Sequence, residues 1–367
     1  MPVYADPADG LRAAAEPLRT WTAEIVAWIG TPADIAADVA EILVASDRRG
    51  IASHGTARLP NYLSLVEAGV LDPAARPVRV GGRPALARFD ARNGWGHHAG
   101  RVAVDWAIEA AREVGIASAV VAHTNHYGIA GWYALRAAAV GLIGVSLSNT
   151  SPLVAPTRAR TALIGTNPIA IAAPAGRFGS FCLDMATSTV PRGRIEVAAR
   201  RGETLPIGWA IDADGRAART PTAALAGALH PLGGEEPSGG HKGYGLALAV
   251  DLLTGVLSGS TFGPNILGLF STAGPSDLGQ TFVVLDPAAA DPSCAFESRL
   301  EGYLEQLVAA PTVPDAPGRV LVPGEPEAEV ERRTAADGIV IDQVHARSLI
   351  AIGERAGLPF PGASSGR

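Results

Sequence analysis

Apolar residues recur at helical spacing near both ends of the chain. Residues 12–49 carry an apolar stripe with the period of an α-helix. Thr31 followed by Pro32 predicts a helix start, with the threonine as N-cap and the proline in the first helical position. A similar pattern predicts a helix over 342–356, whose natural partner is the N-terminal helical region. The N-terminal stripe consists of Ile35, Val39, Ile42 and Leu43.

The middle of the chain alternates between short β-type runs and helical patterns, which predicts an α/β protein. The segment 190–240 differs because it carries many charges, prolines and glycines and few long apolar runs. It predicts a small helical excursion with a mobile loop. The predicted strands are 116–122, 143–147, 169–172, 180–183 and 281–285, and the predicted helices are 100–114, 128–140 and 243–257.

A polar segment joins the predicted strands 143–147 and 169–172. Strands that end in small polar groups commonly present a binding loop on a rigid sheet. Buried hydroxyls and amides also need partners, so the same residues could form a well-bonded pair of turns. The sequence leaves both interpretations open. The residues concerned are Ser148, Asn149, Thr150, Thr166 and Asn167.

Composition narrows the class of protein. With 367 residues, 47% hydrophobic and 18% charged, the chain suits two or three folded domains rather than disorder. A net charge of −6 argues against a nucleic-acid partner. Residues 1–10 lack a secretory signal pattern and no apolar run reaches membrane length, so we expect no membrane partner. The final residues, 362–367, are expected to form a loose tail.

The chain contains two cysteines, Cys182 and Cys294, each within an apolar run. They predict buried thiols, with neither a disulfide framework nor the spacing of a zinc site. Because reduced thiols fit a reducing compartment, we expect a cytoplasmic protein.

Ser53, His54 and Arg58 form the sharpest candidate group for chemistry. A histidine can exchange a proton with a carbonyl or alcohol oxygen, and an arginine offers a planar fork to a carboxylate. If the segment is helical, His54 and Arg58 share a face. The alternative is a surface histidine and arginine that follow a helix. The sequence GIASHG has one residue too many for G-x-S-x-G, so a nucleophile elbow is not indicated.

Further histidines raise the question of a metal site. His97 and His98 are neighbours, whereas His123 and His126 lie three residues apart, and Asp184 could add a carboxylate. No standard zinc spacing emerges, so we expect no metal. A metal-dependent hydrolase remains a hypothesis from a different class of function. His126 is a candidate site residue because it follows a predicted strand end.

The segment GGHKGYG at 239–245 precedes an apolar helix. Its glycines and Lys242 could hold a phosphate or a ribose at the helix N-terminus, although an ordinary loop–helix junction would have the same pattern. The chain has neither a P-loop nor a G-x-G-x-x-G between a strand and a helix. A standard Rossmann site is therefore not indicated. Taken alone, these residues favour an enzyme that acts on a small anionic molecule.

Six segments resemble successive blocks of the type-2 malate/L-lactate dehydrogenase family. That family also includes ureidoglycolate, sulfolactate and diketogulonate oxidoreductases and cyclic-imine reductases. The blocks occur in order across roughly residues 45–330. They are RGIASHGTARLPNY, SNTSPLVAPTRARTALIGTNPIAIAAP, DMATSTVPRGRIEVAARRGE, PLGGEEPSGGHKGYGLAL, LGQTFVVLDP and VLVPGEPE.

The resemblance implies a mixed α+β member of the α/β class. It would have a non-Rossmann nicotinamide-binding fold, with a largely antiparallel mixed sheet wrapped by helices. A helical domain would combine residues 1–75 with 315–367, and a cofactor domain would span 76–314 with an excursion near 190–240. The resemblance also implies NAD or NADP as cofactor, a homodimer, and an active site between the domains.

The resemblance further implies roles for individual residues. His54 would be the acid/base, with His126 as an alternative proton carrier. Ser53 would orient the substrate or cofactor, and Arg58 would clamp the substrate carboxylate. Thr166 and Asn167 would line the same pocket. The implied cofactor contacts are Ser148, Asp184, Met185, Ala186, Lys242, Gly243, Pro323, Gly324 and Glu325.

The implied activity is hydride transfer between the nicotinamide cofactor and a small 2-hydroxy or 2-oxo acid of the malate or L-lactate type. A ureidoglycolate-, sulfolactate- or cyclic-imine-type oxidoreductase is the alternative within the fold, and a non-catalytic nucleotide-binding protein is another hypothesis. A 2′-phosphate of NADP could meet Arg158, Arg160 or Lys242. The pair of His97 and His98 departs from the family, and either alters substrate preference or lies on the surface.

Overall fold

The computed structural model describes residues 10–364. Its helices are α1 Ala15–Trp28, α2 Ala33–Arg48, α3 Leu59–Glu67, α4 Gly96–Val114, α5 Ala130–Ala138, α6 Arg192–Arg201, α7 Pro221–Ala226, α8 Gly240–Asp251, α9 Pro287–Ala290, α10 Phe296–Val308, α11 Glu325–Asp337 and α12 Gln343–Ala356. Its strands are β1 Gly10–Ala13, β2 Val78–Arg83, β3 Leu86–Asp90, β4 Ile116–Thr124, β5 Ile143–Ser148, β6 Ile169–Pro174, β7 Ser180–Met185, β8 Ala210–Ile211, β9 Ala228–Leu229, β10 Leu278–Leu285, β11 Ile339–Asp342 and β12 Ala363–Ser364.

A seven-stranded sheet with the order β2-β3-β4-β10-β5-β6-β7 organises the middle of the chain. Within the described residues, β3 and β4 are its one parallel pair, and the other neighbours run antiparallel. The predicted strands are confirmed, with ends that extend by one to three residues. The expected mixed, largely antiparallel sheet is therefore confirmed.

Helices α4 and α5 pack closely on this sheet because small residues face it. Helix α4 contacts β4 and β10, and α5 contacts β5 and β6. Ala103, Ala107 and Ala111 on α4 are fully buried. A Cβ at Gly144 on β5 would lie 2.5 Å from the backbone oxygen of Ala134 on α5, so this contact requires glycine. Helix α4 also begins earlier than predicted, at Gly96, because the buried core continues through its first turn.

The helices at the two chain ends share a second apolar core. Helices α1, α2, α3 and α12 contribute to it, together with β1 and β11, and this confirms the predicted partnership of the chain ends. Asp342 caps α12 by accepting hydrogen bonds from the backbone of Val344 and His345. The prediction of Thr31 as an N-cap is wrong. Helix α2 starts one residue later, after Pro32, and the Thr31 hydroxyl accepts a hydrogen bond from Trp95 Nε1 at 3.1 Å.

The segment 190–240 builds a small unit of its own. It contains α6, α7 and the two-stranded β8–β9 ladder, so the prediction of helices in this segment is confirmed. An apolar cluster fills it, with Val190 and Ile195 packed against Val154 from the preceding loop.

Other expectations need correction. Cys182 is buried as predicted, but Cys294 is exposed because it lies in a turn before α10. The apolar helix expected over 243–257 begins at Gly240 and becomes π-helical over Leu252–Val256. Part of the expected tail pairs with β1 as β12. Residues 365–367, and the predictions for residues 1–9, lie outside the described residues. No described helix is long and apolar enough to cross a membrane.

Candidate active site

A rigid double turn connects α2 to α3. It consists of two 3-10 turns, Ala52–His54 and Thr56–Arg58. Asp47 Oδ2 accepts hydrogen bonds from the Thr56 backbone N at 2.9 Å and from its Oγ at 2.7 Å. A Cβ at Gly55 would lie 1.8 Å from Asp47 Oδ1, so only glycine fits there. Burial raises the pKa of the Asp47 carboxyl to about 7.

This turn holds His54 and Arg58 on one side, although the segment is not the continuous helix considered from sequence. Ser53 Oγ lies 2.9 Å from His54 Nδ1, and Arg58 Nε donates to the Ser53 backbone oxygen at 2.5 Å. The half-buried His54 ring stacks on the ring of His126, with centroids 5.4 Å apart. Burial and stacking distinguish His54 from an ordinary surface histidine.

His126 follows β4, and a buried tyrosine contacts its ring. Its Nδ1 lies 2.6 Å from the hydroxyl of Tyr62, which comes from α3. The same hydroxyl lies 3.4 Å from Nε2 of His97, in the first turn of α4. His97 is fully buried, which rules out the surface position that was one of the two alternatives for it, and its ring packs edge-on against Tyr62. We name the group of His54, Tyr62, His97 and His126 the histidine cluster.

Phe270 covers one side of the histidine cluster. It lies in the loop between the 3-10 turn at Gly263–Asn265 and β10. Its ring is 5.7 Å from the ring of His126 and 5.7 Å from that of Tyr62. The Arg58 guanidinium stands over it, with Cζ 5.4 Å from the ring centroid. Such a cation–π contact fixes the plane of the guanidinium while its terminal nitrogens can still bind an anion.

The histidines of this cluster are poor at holding a second proton. Burial lowers the pKa of His54 to about 4, and Arg58 adds to the shift. Burial, followed by the neighbouring His54, lowers the pKa of His97 to about 3. The pKa of His126 falls well below its usual value, first through burial and then through His54, His97 and Arg58. At neutral pH all three imidazoles are therefore neutral, each with one N–H and one bare nitrogen.

The remaining candidate histidines contact carboxylates outside the cluster. His98 Nδ1 is 2.7 Å from Asp38 on α2, and His123 Nδ1 is 2.8 Å from Asp277. Among residues 10–364, no group of three or more His, Cys, Asp or Glu side chains is arranged to hold a metal ion.

The polar segment after β5 satisfies its own hydrogen bonds. We name the group of Ser148, Asn149, Thr150, Thr166 and Asn167 the polar turn. Asn167 Oδ1 accepts from the Thr150 backbone at 3.0 Å, and its Nδ2 donates to the Ala247 oxygen on α8 at 2.9 Å. Ser148 Oγ donates to the backbone oxygens of Asn149 and Gly279. Thr150 Oγ accepts from the backbone of Thr166, whose side chain remains half-buried.

Asn149 binds three parts of the chain together. Its Nδ2 donates to Asp251 Oδ1 and to the Thr261 backbone oxygen, both at 3.0 Å, and its Oδ1 accepts from the Gly279 backbone at 2.9 Å. Because these amides are buried and occupied, the polar turn is a well-bonded structure, which was one of the two interpretations left open. Its Asn167 side chain shapes the loop from inside.

The segments 184–186 and 323–325 are brought together. Gly324 has φ +89°, and a Cβ there would lie 2.8 Å from the Cβ of Cys182 on β7. The Pro323 oxygen accepts from the Cys182 backbone at 2.9 Å. Glu325 pairs with Arg319. Asp184 Oδ2 accepts from the Gly131 backbone at 2.8 Å, and Met185 and Ala186 follow it, half-buried.

Lys242 lies on a different element, in the exposed first turn of α8. Gly243 beside it packs so tightly that a Cβ would lie 2.1 Å from the Leu232 oxygen. Arg158 is engaged by Glu236, with contacts of 2.9 and 2.7 Å, and Arg160 is exposed. The first turn of α8 therefore offers a cation at the surface, while the amides of Gly240 and Lys242 donate to backbone oxygens nearby in the chain.

A cleft of about 1120 Å³ lies between the chain-end helices and α4–α5. Gly324 and Cys182 line it, whereas the residues of the histidine cluster do not. The chemistry-bearing side chains therefore lie in a tighter space beside Phe270.

Sequence reasoning missed Tyr62, the placement of His97, and Phe270. Tyr62 follows Arg58 by one helical turn, so the spacing could have suggested a shared face. Nothing in the sequence around Phe270 marks it, because its position depends on how a long loop folds back.

Comparisons with known proteins give matches over most of the chain. The model of the malate/L-lactate dehydrogenase family matches residues 13–350. The chain is 40% identical over 312 residues to a malate dehydrogenase of Pyrococcus abyssi, covering 84% of each chain. It is 32% identical to an L-sulfolactate dehydrogenase of Methanothermobacter thermautotrophicus, over 90% of this chain and 92% of the relative. The solved structure of malate dehydrogenase from Pyrococcus horikoshii OT3 matches 96% of this chain and 98% of its own, with a TM-score of 0.88 and 34% identity.

Proposed function

The chain belongs to the malate/L-lactate dehydrogenase family, and from this premise we propose that the histidine cluster and Arg58 form the active site of a malate-type enzyme. The protein is an NAD(P)-dependent oxidoreductase of small 2-hydroxy and 2-oxo acids. The observation that carries the proposal is the stacking of two neutral imidazoles, His54 and His126, beside a guanidinium fixed over Phe270. This arrangement joins a carboxylate clamp to proton-carrying groups.

Arg58 would bind the substrate carboxylate through its terminal nitrogens, since its Nε is already used by the Ser53 oxygen. His54 and His126 would hydrogen-bond the 2-oxo oxygen. A bound carboxylate raises the pKa of nearby imidazoles, which allows one of them to carry the proton that the reduced oxygen receives. Ser53 would keep the His54 ring in position through its Nδ1. Thr166, at the rim of the polar turn, and Asn167 beneath it would complete the pocket wall.

The residues present fit a dinucleotide. The Gly324 turn packs directly on Cys182, which lines the cleft of about 1120 Å³, and Lys242 offers an exposed cation in the first turn of α8. When bound, the nicotinamide supplies or accepts the hydride. We propose that NAD or NADP is held by Ser148, Asp184, Met185, Ala186, Lys242, Gly243, Pro323, Gly324 and Glu325. The site would lie between the helical domain (1–75 with 315–367) and the cofactor domain (76–314).

The names of the relatives suggest which substrates to test first. We propose malate and oxaloacetate as the leading pair, because a malate dehydrogenase is 40% identical to this chain. Sulfolactate is the runner-up, since a sulfolactate dehydrogenase is 32% identical. Both substrates carry a second anionic group besides the carboxylate that Arg58 would bind.

The test is oxidation of NADH and NADPH with oxaloacetate, pyruvate, sulfopyruvate and cyclic imino acids, with and without a chelator. We expect turnover of oxaloacetate that the chelator leaves unchanged. Turnover of another 2-oxo acid in place of oxaloacetate would identify that acid as the substrate. Turnover that the chelator abolishes would show that the oxidoreductase needs a metal ion, and binding of neither cofactor would overturn the proposal.

We also propose a homodimer formed through the outer face of α8 and the π-helical segment. The residues Leu248, Leu252, Val256 and Leu257 are each about half exposed there, at 48%, 55%, 51% and 54%. An apolar patch of this kind on a soluble chain commonly marks an interface. Leu252→Glu should convert the dimer to a monomer in light scattering, whereas Leu321→Glu on another exposed surface should not. The free thiols of Cys182 and Cys294 support our proposal of a cytoplasmic location.

A further inference from the structure

The neighbouring residues His97 and His98 face different surroundings. His98, on α4, contacts the carboxylate of Asp38 on α2, with Nδ1 2.7 Å from Oδ2. His97 is completely buried against the ring of Tyr62 and directs Nε2 to the tyrosine hydroxyl. His97 is therefore connected to the active site through Tyr62. His98 has no such connection and provides a matched control.

The Tyr62 hydroxyl lies between two imidazole nitrogens. His126 Nδ1 is 2.6 Å away and His97 Nε2 is 3.4 Å away. A hydroxyl has one proton to donate, so only one of the nitrogens can accept from it. The other nitrogen must then carry the N–H that donates to the tyrosine oxygen. The tautomers of His97 and His126 are therefore linked.

Two observations decide between the possible arrangements. The Gly128 backbone N–H donates to His126 Nδ1 at 3.4 Å, so this nitrogen acts as an acceptor. His97 Nδ1 is buried and has no hydrogen-bond partner among the described residues, so a proton there would be an unpaired N–H. An unpaired donor in a protein interior is unfavourable. Both observations favour a proton on His97 Nε2, donated to Tyr62, which in turn donates to His126.

We propose that His97 is a positioning residue that acts through Tyr62 to keep the proton of His126 on Nε2. His126 then faces the substrate as a hydrogen-bond donor to the 2-oxo oxygen, and its Nδ1 is protected from protonation. The catalytic assignment of His126 rests on the proposed function, but the tautomer itself does not. The low pKa of His126, to which His97 contributes, agrees with this arrangement.

The tautomer can be measured directly by 15N NMR of histidine-labelled protein, with the His126 signals assigned by their loss in His126→Gln. We expect the Nε2–H tautomer in the wild type. His97→Phe keeps an aromatic ring but removes the donor, and should give a tautomer mixture. His97→Gln can restore a donor to Tyr62 and should largely recover the wild-type signals, and His98→Gln should leave them unchanged.

Kinetics give a second readout. His97→Phe should lower kcat/KM roughly tenfold, the rate equivalent of one hydrogen bond, and move the acid limb of the pH profile upward. An Nδ1–H tautomer in the wild type would overturn the proposal, and so would unchanged His126 signals in His97→Phe. If His97→Phe does not fold, the wild-type tautomer and the His97→Gln spectrum still decide the outcome. A protein inactive on every 2-oxo acid would contradict the proposed function but would leave the tautomer measurement valid.

Discussion

The polar turn and the histidine cluster are both dense in polar atoms, but the two regions differ in how completely those atoms are hydrogen-bonded. In the polar turn, Asn149 and Asn167 have both ends of their buried amides occupied by backbone or carboxylate partners. In the histidine cluster, a single hydroxyl serves two rings, and His97 retains a buried nitrogen without a described partner. The first region uses polarity to fix a loop. The second keeps neutral, incompletely bonded rings beside an arginine, and such a region can respond to a ligand.

The difference predicts opposite consequences for substitutions in the two regions. His126→Gln should lower kcat by roughly a hundredfold or more, the usual contribution of a proton-transfer residue, while the melting temperature stays near that of the wild type. Steady-state kinetics and thermal unfolding on the same samples provide the measurement. Near-normal turnover in a folded His126→Gln protein would remove the cluster from the mechanism.

Arg58→Lys tests the role of the arginine that lies beside the histidine cluster. Lysine keeps the charge but loses the planar fork and its stacking on Phe270. We expect kcat/KM to fall by roughly 10- to 100-fold, mainly through KM, because hydrogen bonds to charged groups contribute about 1.5–3 kcal/mol. Initial rates over a range of 2-oxo acid concentrations separate the two parameters. An unchanged KM would mean that Arg58 does not hold the carboxylate.

Asn149→Ala tests whether the polar turn contributes to stability rather than to turnover. Removing its amide takes away the hydrogen bonds to Oδ1 of the buried Asp251 and from the Gly279 N–H, at about 1–3 kcal/mol of unfolding free energy. Denaturant unfolding should show this loss, while kcat of the folded enzyme changes little. Asn265→Ala, at an exposed position, is the control. A stable Asn149→Ala protein that has lost its turnover would reverse the roles of the two regions.

The pH dependence of stability should also distinguish the histidine cluster. The pKa of His97 is about 3 in the folded protein, below its ordinary value near 6.5, so its stabilising contribution is present above pH 6.5. That contribution is lost progressively as the pH falls from 6.5 towards the folded pKa, and the loss between pH 6.5 and 5 is about 2 kcal/mol. His97→Gln should therefore lose less stability than the wild type over this interval. Parallel unfolding curves for the two proteins would contradict the low pKa.

Periodicity in the sequence predicted elements well where one face of an element is buried. The stripe on α2 and the strands β5 and β6 are examples, because burial on one side imposes a period that the sequence carries. The prediction for Thr31 was wrong because a threonine hydroxyl can bind a side chain instead of capping a helix. Here the Thr31 hydroxyl accepts a hydrogen bond from Trp95. Cys294 was misjudged because a short apolar run can lie in a turn as easily as in a core.

The residues of the site also fall into two groups, those that the sequence predicted and those that it did not. His54, Arg58 and His126 could be named from residue type and resemblance, and the fold brings them within one cluster. Their partners Tyr62, His97 and Phe270 come from α3, α4 and a distant loop. Sequence spacing does not encode which faces of separate elements meet, so the support of the cluster became visible only in three dimensions.

The contact between Gly55 and Asp47 has a practical consequence for anyone who wishes to redesign the enzyme. At Gly55 the turn that carries His54 has no room for one added methyl group, since the Asp47 carboxylate fills that space. A mutant library that randomises Gly55 would mostly yield variants in which this turn is disrupted. Phe270, by contrast, contacts the histidine cluster with its ring alone in the described contacts, edge-on to Tyr62 and tilted to His126. Diversity placed at that wall could change which acids the enzyme accepts while leaving its framework intact.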